Sequence, residues 1–396
     1  MFSGFNLKRH IICNTLYAIF NITFIKIIIT PFFRSNGMDA LQISTLITTQ
    51  QFSWFLFLFI SGAIFDLFGA RTIFLLGRIL EIISILLLIK TGFYNFLASM
   101  IFMGAGLGVM YGKYTSFIYN SLSLANRLDI YPRIASTYYF IWDIALAGMA
   151  YLTSQIMKTH SYEVIIYMSL IMKVLAIISI IVLIPSNAKS GMEEFKSASV
   201  KEIFLSVKDC AKKNHIFTYL LMFYGVLNFF TYPLCITIAD MVLVDKGINA
   251  AGIAKYTTFI TTIMAIGTLI PIVLFPHGIS VRKCVLLSII QMTLMLFSAI
   301  SYNTICFIVC AGFLNLTFAL IEVSIERRFE DFSNKKIRGS AISTSIAIGT
   351  LLTTVNIMLI GLIAKYLSYQ VGLVVIILQI LLILMFLHSK LKTLIK

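Results

Sequence analysis

The chain has 396 residues, of which 59% are hydrophobic and only 12% charged, and its mean hydropathy is +0.96. Soluble domains carry about 25% charged residues, so this composition excludes a water-soluble globular protein. The formal net charge of +15 follows a membrane topology, as shown below, and therefore does not indicate a surface for nucleic acid.

Apolar stretches of about 20 residues recur along the whole chain, and each could cross about 30 Å of hydrocarbon as a helix. The short alternating segments of a membrane β-barrel are absent from the sequence. We predict an all-α polytopic membrane protein with twelve transmembrane helices. Their approximate limits are 10–33, 41–65, 71–90, 95–120, 134–157, 164–185, 216–239, 253–275, 283–300, 304–325, 340–364 and 370–388. The first is too long for a signal-peptide core and lacks a following cleavage site, so we expect it to be retained.

The basic residues are distributed unevenly between the two sides of this arrangement. With a cytoplasmic N-terminus, most of the 31 lysines and arginines lie in segments on the inner side. The positive-inside rule then predicts a multi-pass protein of the cell (inner) membrane with both termini in the cytoplasm.

One long polar segment divides the chain into two parts of six predicted helices each. We expect an N-terminal half over 1–187, a cytoplasmic central loop over 188–215 and a C-terminal half over 216–396. Duplicated six-helix halves are a known transporter architecture, with the solute site near the membrane midplane between them.

A motif follows the second predicted helix: "GAIFDLFGART" contains Gly62, Asp66, Gly69 and Arg71. A degenerate copy, "VLFPHGISVRK", occupies the corresponding place between the eighth and ninth helices. In this setting the motif resembles the loop signature of the major facilitator superfamily (MFS). The resemblance implies two pseudo-symmetric six-helix bundles and a secondary transporter that works by alternating access.

The same motif has a physical interpretation. Gly62 allows a neighbouring helix to approach closely, Asp66 suits a helix N-terminus, and Gly69 permits a tight turn. Arg71 supplies the positive partner. By resemblance these residues form a conformational gate against the eleventh helix on the cytoplasmic side. The alternative is an ordinary charged turn.

Ionisable side chains inside predicted helices are the candidates for function. Glu81 and Asp143 each lie about 15 Å from the cytoplasmic helix end, Arg78 precedes Glu81 by three residues, and Lys113 lies in the fourth helix. By resemblance, the third helix stands outside the cavity, which favours a structural Arg78–Glu81 pair. Asp143 and Lys113 would face the solute path.

Asp143 could bind solute or carry a coupling proton, or it could form a fixed salt bridge to Lys113. Glu322 could line the inner mouth or pair with Arg327. Lys26 could extend to the membrane surface, and the position of Lys173 is equally open. Further polar candidates for solute binding are Asn21, Gln50, Gln51, Tyr224, Asn228, Tyr232, Asn315 and Asn356.

Three glycines in the fourth predicted helix, Gly104, Gly108 and Gly112, are spaced four residues apart and predict close helix packing. The drug-exporter subgroup of the superfamily usually has an arginine where this chain has Met100, and a proline-containing motif in its fifth helix that "WDIALAGMAYL" lacks. A drug antiporter is therefore disfavoured.

No enzyme signature, metal-ligand set or cofactor motif is present in the sequence. We therefore expect a monomeric, proton-coupled secondary transporter of a small organic solute, either a nutrient such as an amino acid or a metabolite, with the lipid bilayer and the solute as its partners. Export of a siderophore, drug or other metabolite stays an alternative. A transporter-like membrane sensor is the alternative from another class, and a membrane enzyme is a third.

Overall fold

The computed structural model describes residues 12, 15, 16, 19–110, 131–184, 215–274, 280–301, 303–332 and 338–394. Within these ranges the ordered elements are all helical and no strand occurs. The helices are α1 Phe24–Ile27, α2 Ile29–Ser35, α3 Ala40–Ile89, α4 Phe93–Met110, α5 Tyr131–Ile156, α6 Tyr162–Leu183, α7 His215–Phe229, α8 Ala239–Asp245, α9 Ala250–Leu274, α10 Val281–Ile300, α11 Thr304–Phe332, α12 Arg338–Tyr366 and α13 Tyr369–Leu394, with a π-helical segment π1, Phe230–Ile238, between α7 and α8.

The first predicted helix is interrupted. We expected a continuous helix over 10–33, but the helical backbone stops at Ile22 and Thr23 and is distorted again at Ile28 (φ −125°, ψ 27°). Continuity over 10–33 is therefore wrong. The local sequence is rich in β-branched isoleucine and threonine, which are poorer helix formers.

Helix α3 contains both the second and the third predicted helices. Ser53 donates a hydrogen bond to the carbonyl of Ile101 (2.7 Å), and Ser99 donates one to the carbonyl of Ser84 (2.8 Å). Ser53 and Ser84 would lie about 46 Å apart along a straight helix. Their partners are only two residues apart on α4, so the chain of α3 must reverse.

The order of the contacts gives the direction of each part of α3. Along α4, Gly104 abuts Ser53 and Gly108 abuts Phe57, whereas Gly106 abuts Gly77. The part that begins at Ala40 therefore runs parallel to α4, and the part that ends at Ile89 runs antiparallel to it. The reversal lies between Leu58 and Gly77, as the sequence predicted. We expected a non-helical loop there, but helical backbone extends into the turn from both sides.

The glycines of α4 allow this close packing. A Cβ atom built on Gly106 would lie 2.8 Å from the carbonyl oxygen of Gly77, and one on Gly108 would lie 2.6 Å from that of Trp54. Real Cβ atoms do not approach backbone oxygens so closely. The predicted packing role is confirmed for Gly104 and Gly108, while Gly112 lies outside the described residues.

Short connections between helices collect on one face of the molecule, which we call the short-loop face. The ring of Phe32 at the end of α2 packs against Phe96 near the start of α4 (5.5 Å between centroids) and against Tyr162 at the start of α6 (5.4 Å). The hydroxyl of Tyr369 at the start of α13 donates to the carbonyl of Ala40 (3.0 Å). These contacts involve five helix ends, those of α2, α3, α4, α6 and α13.

Two further contacts extend the short-loop face. Ser154 near the end of α5 donates to the carbonyl of Ala251 at the start of α9 (2.9 Å), and the side chain of Gln370 donates to the carbonyl of Ala299. Elements from the two halves of the chain meet through α5 with α9, α3 with α12, and α2 with α8.

Six described helices are long and apolar enough to cross a membrane, and two shorter apolar helices accompany them. Large apolar side chains such as Val182, Phe297 and Leu382 are exposed on their surfaces, as lipid contact requires. The six are Arg71–Ile89, Phe93–Met110, Tyr162–Val182, Val281–Ile300, Ser345–Tyr366 and Tyr369–Lys390, and the shorter two are His215–Leu227 and Thr304–Phe318. The full set of twelve stays a prediction.

Candidate functional site

A central cavity lies between the N-terminal and C-terminal parts of the chain. Its volume, measured as the space open to the centre of a water-sized sphere, is about 20 Å³, which is room for about one or two water molecules. The lining residues are Lys26, Ile29 and Thr30 from the interrupted first helix, Ile47, Gln50 and Gln51 from α3, Ile236 and Thr237 from π1, and Asp240 from α8.

The interruption before α1 is stabilised by side chains of α6. Lys173 donates a hydrogen bond from Nζ to the backbone carbonyl of Asn21 (2.6 Å), and the backbone N–H of Ile25 donates to Oγ of Ser169 (2.9 Å). Backbone groups that a regular helix would pair internally are therefore paired with a neighbouring helix. This arrangement allows irregular backbone at membrane depth.

The opposite side of the central cavity is formed by a second irregular segment. The π-helical turns of π1 widen the helix, and the hydroxyl of Tyr256 on α9 donates to the backbone carbonyl of Cys235 (2.6 Å). Asp240 follows directly in the first turn of α8. Such π-helical insertions occur frequently at functional sites.

The two irregular segments occupy corresponding places in the sequence, in the first and the seventh predicted helices. Interrupted hydrophobic segments at corresponding positions of two halves are the best indication from backbone structure of a transporter binding site. Here both segments line the same cavity, which makes it the candidate functional site.

Several polar atoms at the central cavity have no hydrogen-bond partner within the described structure. Oδ1 of Asp240 and Oε1 of Gln51 are buried and unpaired, and the two residues are only 2% and 4% exposed. An unpaired buried polar atom costs about 1–3 kcal/mol. The cavity therefore presents acceptors that a bound molecule could satisfy.

More unpaired polar atoms lie beside the cavity. Among the residues that the structure describes, Oγ1 of Thr48 and both amide atoms of Asn356 are buried and have no hydrogen-bond partner. Gly361 of α12 abuts Ser44 of α3 where both helices leave the short-loop face. Asn356 precedes Gly361 by five residues, and residue 49 follows Ser44 by five. Because both helices leave the short-loop face at this contact, Asn356 lies at the same depth as residues 48–49, close to Gln50 and Gln51.

A second polar centre is buried within the N-terminal part. Glu81 accepts hydrogen bonds from Arg78 (2.5 Å) and lies 3.1 Å from Nζ of Lys173, and Arg78 also donates to Oδ1 of Asn21. The predicted Arg78–Glu81 pair is thus present. We call Arg78, Glu81 and Lys173 the ion cluster. The sequence did not identify Lys173 as its third member, because the contact joins helices about 90 residues apart in the chain.

Asp143 lies in α5 and is 2% exposed. It shares one helix face with the buried residues Ala147, Ala150 and Ser154, which follow it at helical spacing. Because Ser154 bonds to Ala251 of α9, this face is directed towards the C-terminal part. No ion pair to Asp143 occurs among the described residues.

The remaining predicted site residues cannot be placed beside these groups. Lys113 lies outside the described residues, and the side chains of Gly62, Asp66, Gly69 and Glu322 lie outside those described. Arg71 is half-buried. The eleventh predicted helix, which we expected to contact the motif around Asp66, corresponds to α12. It contains Ser345, whose hydroxyl is buried without a hydrogen-bond partner in the described structure.

The sequence analysis missed Asp240 and misplaced Lys26. Asp240 is an acid within the apolar run "CITIADMVLV", one residue beyond the expected end of the seventh helix, and that isolation was the available signal. For Lys26 the sequence suggested a possible extension towards the membrane surface. That is wrong: the interruptions around it place its side chain on the central cavity.

Solved transporter structures share this architecture. The nucleoside transporter NupG superposes with a TM-score of 0.72 at 12% identity, covering 97% of this chain and 98% of that one. A POT family transporter in complex with 5-aminolevulinic acid gives 0.68 at 12% identity, covering 98% and 96%. The D-xylose-proton symporter gives 0.66 at 13% identity, covering 94% and 96%. No protein-family model matches the sequence, and no curated protein does either.

The helices, their apolar surfaces and these similarities define a multi-pass integral membrane protein with the fold of these solved transporters. More particularly, the fold is that of the major facilitator superfamily, as the motif around Asp66 predicted.

Proposed function

We propose that the protein moves a small polar organic solute across the cell inner membrane by alternating access, coupled to a proton. The observation that carries this proposal is the central cavity, which both parts of the chain line and which combines a cation, an acid and two amides at interrupted helices. A polar site buried this deeply in an apolar protein needs a functional reason.

The proposal includes the expected arrangement of twelve helices in two six-helix bundles, 1–187 and 216–396, joined by the central loop 188–215. The contacts of α5 with α9 and of α3 with α12 support it, because each joins the two parts. With cytoplasmic termini, the short-loop face is the outer face. The motif of Gly62, Asp66, Gly69 and Arg71 then acts as the conformational gate on the inner side.

The residues have distinct roles in this proposal. Lys26 and Asp240, together with Gln50 and Gln51, contact the solute. Asp143 carries the coupling proton, since it is a buried acid on the face directed towards the other half.

Lys113 and Glu322 remain proposed contributors to solute or proton binding. Arg78 and Glu81 act structurally through the ion cluster, where every charge has an opposite partner. The protein works as a monomer in the lipid bilayer, without a cofactor and without nucleic acid.

The solved structures are named as a nucleoside transporter, a D-xylose-proton symporter and a POT family transporter in complex with a conjugated peptide. The same fold thus accompanies different solutes, and it leaves the solute and the direction of transport open. Import of a nutrient such as an amino acid is the leading proposal, and export of a metabolite uses the same site. A sensor would bind solute at the cavity without moving it.

Proteoliposomes containing the purified protein test this function. Uptake of radiolabelled amino acids, nucleosides, dipeptides and xylose is measured with and without an imposed pH gradient, against protein-free liposomes. We expect uptake of at least one solute class, enhanced by the gradient. Binding of a solute, detected as thermal stabilisation, with no flux under either condition would contradict transport and favour the sensor.

A further inference from the structure

The charges on the central cavity indicate which kind of solute it accepts. Lys26 is a cation carried by α1, and Asp240 is an acid carried by α8. They come from the two different halves of the chain and line one small space. A site with one group of each sign is complementary to a molecule with both signs.

The hydrogen-bonding state of the acid points the same way. Asp240 is buried, and its Oδ1 has no hydrogen-bond partner within the described structure. Oε1 of Gln51, on the facing helix, is also unpaired. Both atoms are acceptors, and an ammonium group supplies three donors. A cationic amine therefore has enough donors for both acceptors.

The other end of such a molecule would meet donors. Lys26 carries a cationic amine, and Gln50 has an amide that can donate. A carboxylate accepts hydrogen bonds from both kinds of group, and charge-assisted bonds of this type are about twice as strong as neutral ones. The cavity thus offers both acceptors and donors.

The remaining lining limits the size and the polarity of the solute. Ile29, Ile47 and Ile236 contribute apolar surface, while Thr30 and Thr237 contribute hydroxyls. The present volume of about 20 Å³ is smaller than any organic solute, so binding must widen the cavity. A compact solute needs the least widening.

We infer that the cavity binds a small zwitterion, with its ammonium group at Asp240 and Gln51 and its carboxylate at Lys26 and Gln50. This inference rests on the proposed function for the identity of the site, and it narrows the solute class. A neutral sugar or nucleoside would leave both charges without an opposite partner in the solute, at a cost in desolvation.

Thermal stabilisation of the detergent-purified protein tests the inference. The probes are the twenty protein amino acids, 4-aminobutyric acid, 5-aminolevulinic acid and glycine betaine, each with its methyl ester and, where it has an amine hydrogen, its N-acetyl derivative. We expect at least one zwitterion to stabilise the protein. Its ester, which lacks the carboxylate, and its N-acetyl form, which lacks the ammonium, should bind more than tenfold more weakly.

Two variants and their matched controls assign the two ends. Asp240→Asn should weaken zwitterion binding more than tenfold and leave binding of the N-acetyl form unchanged. Lys26→Gln should also weaken zwitterion binding more than tenfold, and it should leave binding of the methyl ester unchanged. The control for Asp240→Asn is Asp245→Asn, because Asp245 is exposed at the end of the same helix. The control for Lys26→Gln is Lys90→Gln, because Lys90 is exposed on the short-loop face. Both controls should bind like the parent.

The failures of the two proposals are distinguishable. The zwitterion inference is overturned if no zwitterion stabilises the protein, or if the ester and N-acetyl forms stabilise it as much as the zwitterion does. Transport of a neutral or singly charged solute would then still support the transporter. Conversely, a zwitterion that binds through Lys26 and Asp240 but is not moved in proteoliposomes overturns transport and leaves the binding inference intact.

Discussion

The molecule contains two buried polar centres of similar composition and opposite character. In the ion cluster, Glu81 contacts both Arg78 and Lys173, and each of these two cations also donates a hydrogen bond to Asn21. At the central cavity, Asp240 and Gln51 keep unpaired oxygens. The first centre pairs its charges within the protein, whereas the second presents acceptor oxygens that a bound molecule could satisfy.

This contrast explains why burial of a charge does not by itself identify a site. The ion cluster ties α3 and α6 to the interrupted first helix, so its charges have a structural use. The cavity lies between parts of the chain that must separate in alternating access, so permanent partners there would oppose the motion. The predictions below test this division, from the largest expected effect to the smallest.

Removing the central acid of the ion cluster should cost the most stability. Glu81→Ala leaves Arg78 and Lys173 buried without their carboxylate, and breaking a buried ion pair in this way costs about 3–5 kcal/mol. We expect a large fall in thermal unfolding temperature of the purified protein. Glu163→Gln, an exposed acid in the first turn of α6, is the control and should unfold like the parent. Normal stability with abolished flux would instead make the cluster a functional site.

Removing the acid of the central cavity should have the reverse pattern. Asp240→Asn removes the charge of a buried carboxylate whose Oδ1 has no hydrogen-bond partner in the described structure, so the free energy of unfolding should stay the same or rise, while solute uptake should fall more than tenfold. Thermal unfolding and proteoliposome uptake measure the two effects on one preparation. Uptake equal to that of Asp245→Asn, the exposed control on the same helix, would exclude Asp240 from the solute site.

Asp143 should affect coupling rather than folding. Because asparagine does not titrate, Asp143→Asn should remove the pH dependence of uptake and reduce gradient-driven uptake several-fold, while solute exchange without a gradient continues. The measurement is uptake across a pH series in proteoliposomes. If the variant transports as well as the parent with the same pH dependence, Asp143 does not carry the coupling proton.

The hydrogen bonds to irregular backbone should give the smallest effects. Tyr256→Phe removes the donor to the carbonyl of Cys235, and Ser169→Ala removes the acceptor for the N–H of Ile25. Each should lower the free energy of unfolding by about 1 kcal/mol. Thr293→Ala, which removes only a bond to the backbone of its own helix, is the control. Unchanged stability in both variants would mean that the irregular segments do not depend on these neighbours.

Much of the fold could be predicted from the sequence, because the length of the apolar stretches and the uneven distribution of basic residues are both set by the membrane. The motif around Asp66 predicted the superfamily fold, and the spacing of Arg78 and Glu81 predicted their pair. The interruptions at Thr23 and in π1 were not predictable in the same way. They depend on partners such as Lys173 and Tyr256, which distant parts of the chain supply.

The candidate site was predicted less well for the same reason. Gln50 and Gln51 were recognised as polar residues in apolar helices, yet nothing in their own segments showed that they share a cavity with Lys26 and Asp240. That juxtaposition depends on how the first, second and seventh helices pack. The spacing of residues in the sequence shows which side chains are neighbours on one helix. It does not show which side chains from three different helices meet.

The most direct test of the account compares uptake of a mixture of radiolabelled amino acids by proteoliposomes containing the parent protein or Asp240→Asn, at equal amounts of folded protein. The account predicts that the parent accumulates label above protein-free liposomes, more so with an inward proton gradient, and that Asp240→Asn loses more than nine-tenths of this uptake. Equal uptake by the two proteins, or none by the parent, would contradict it.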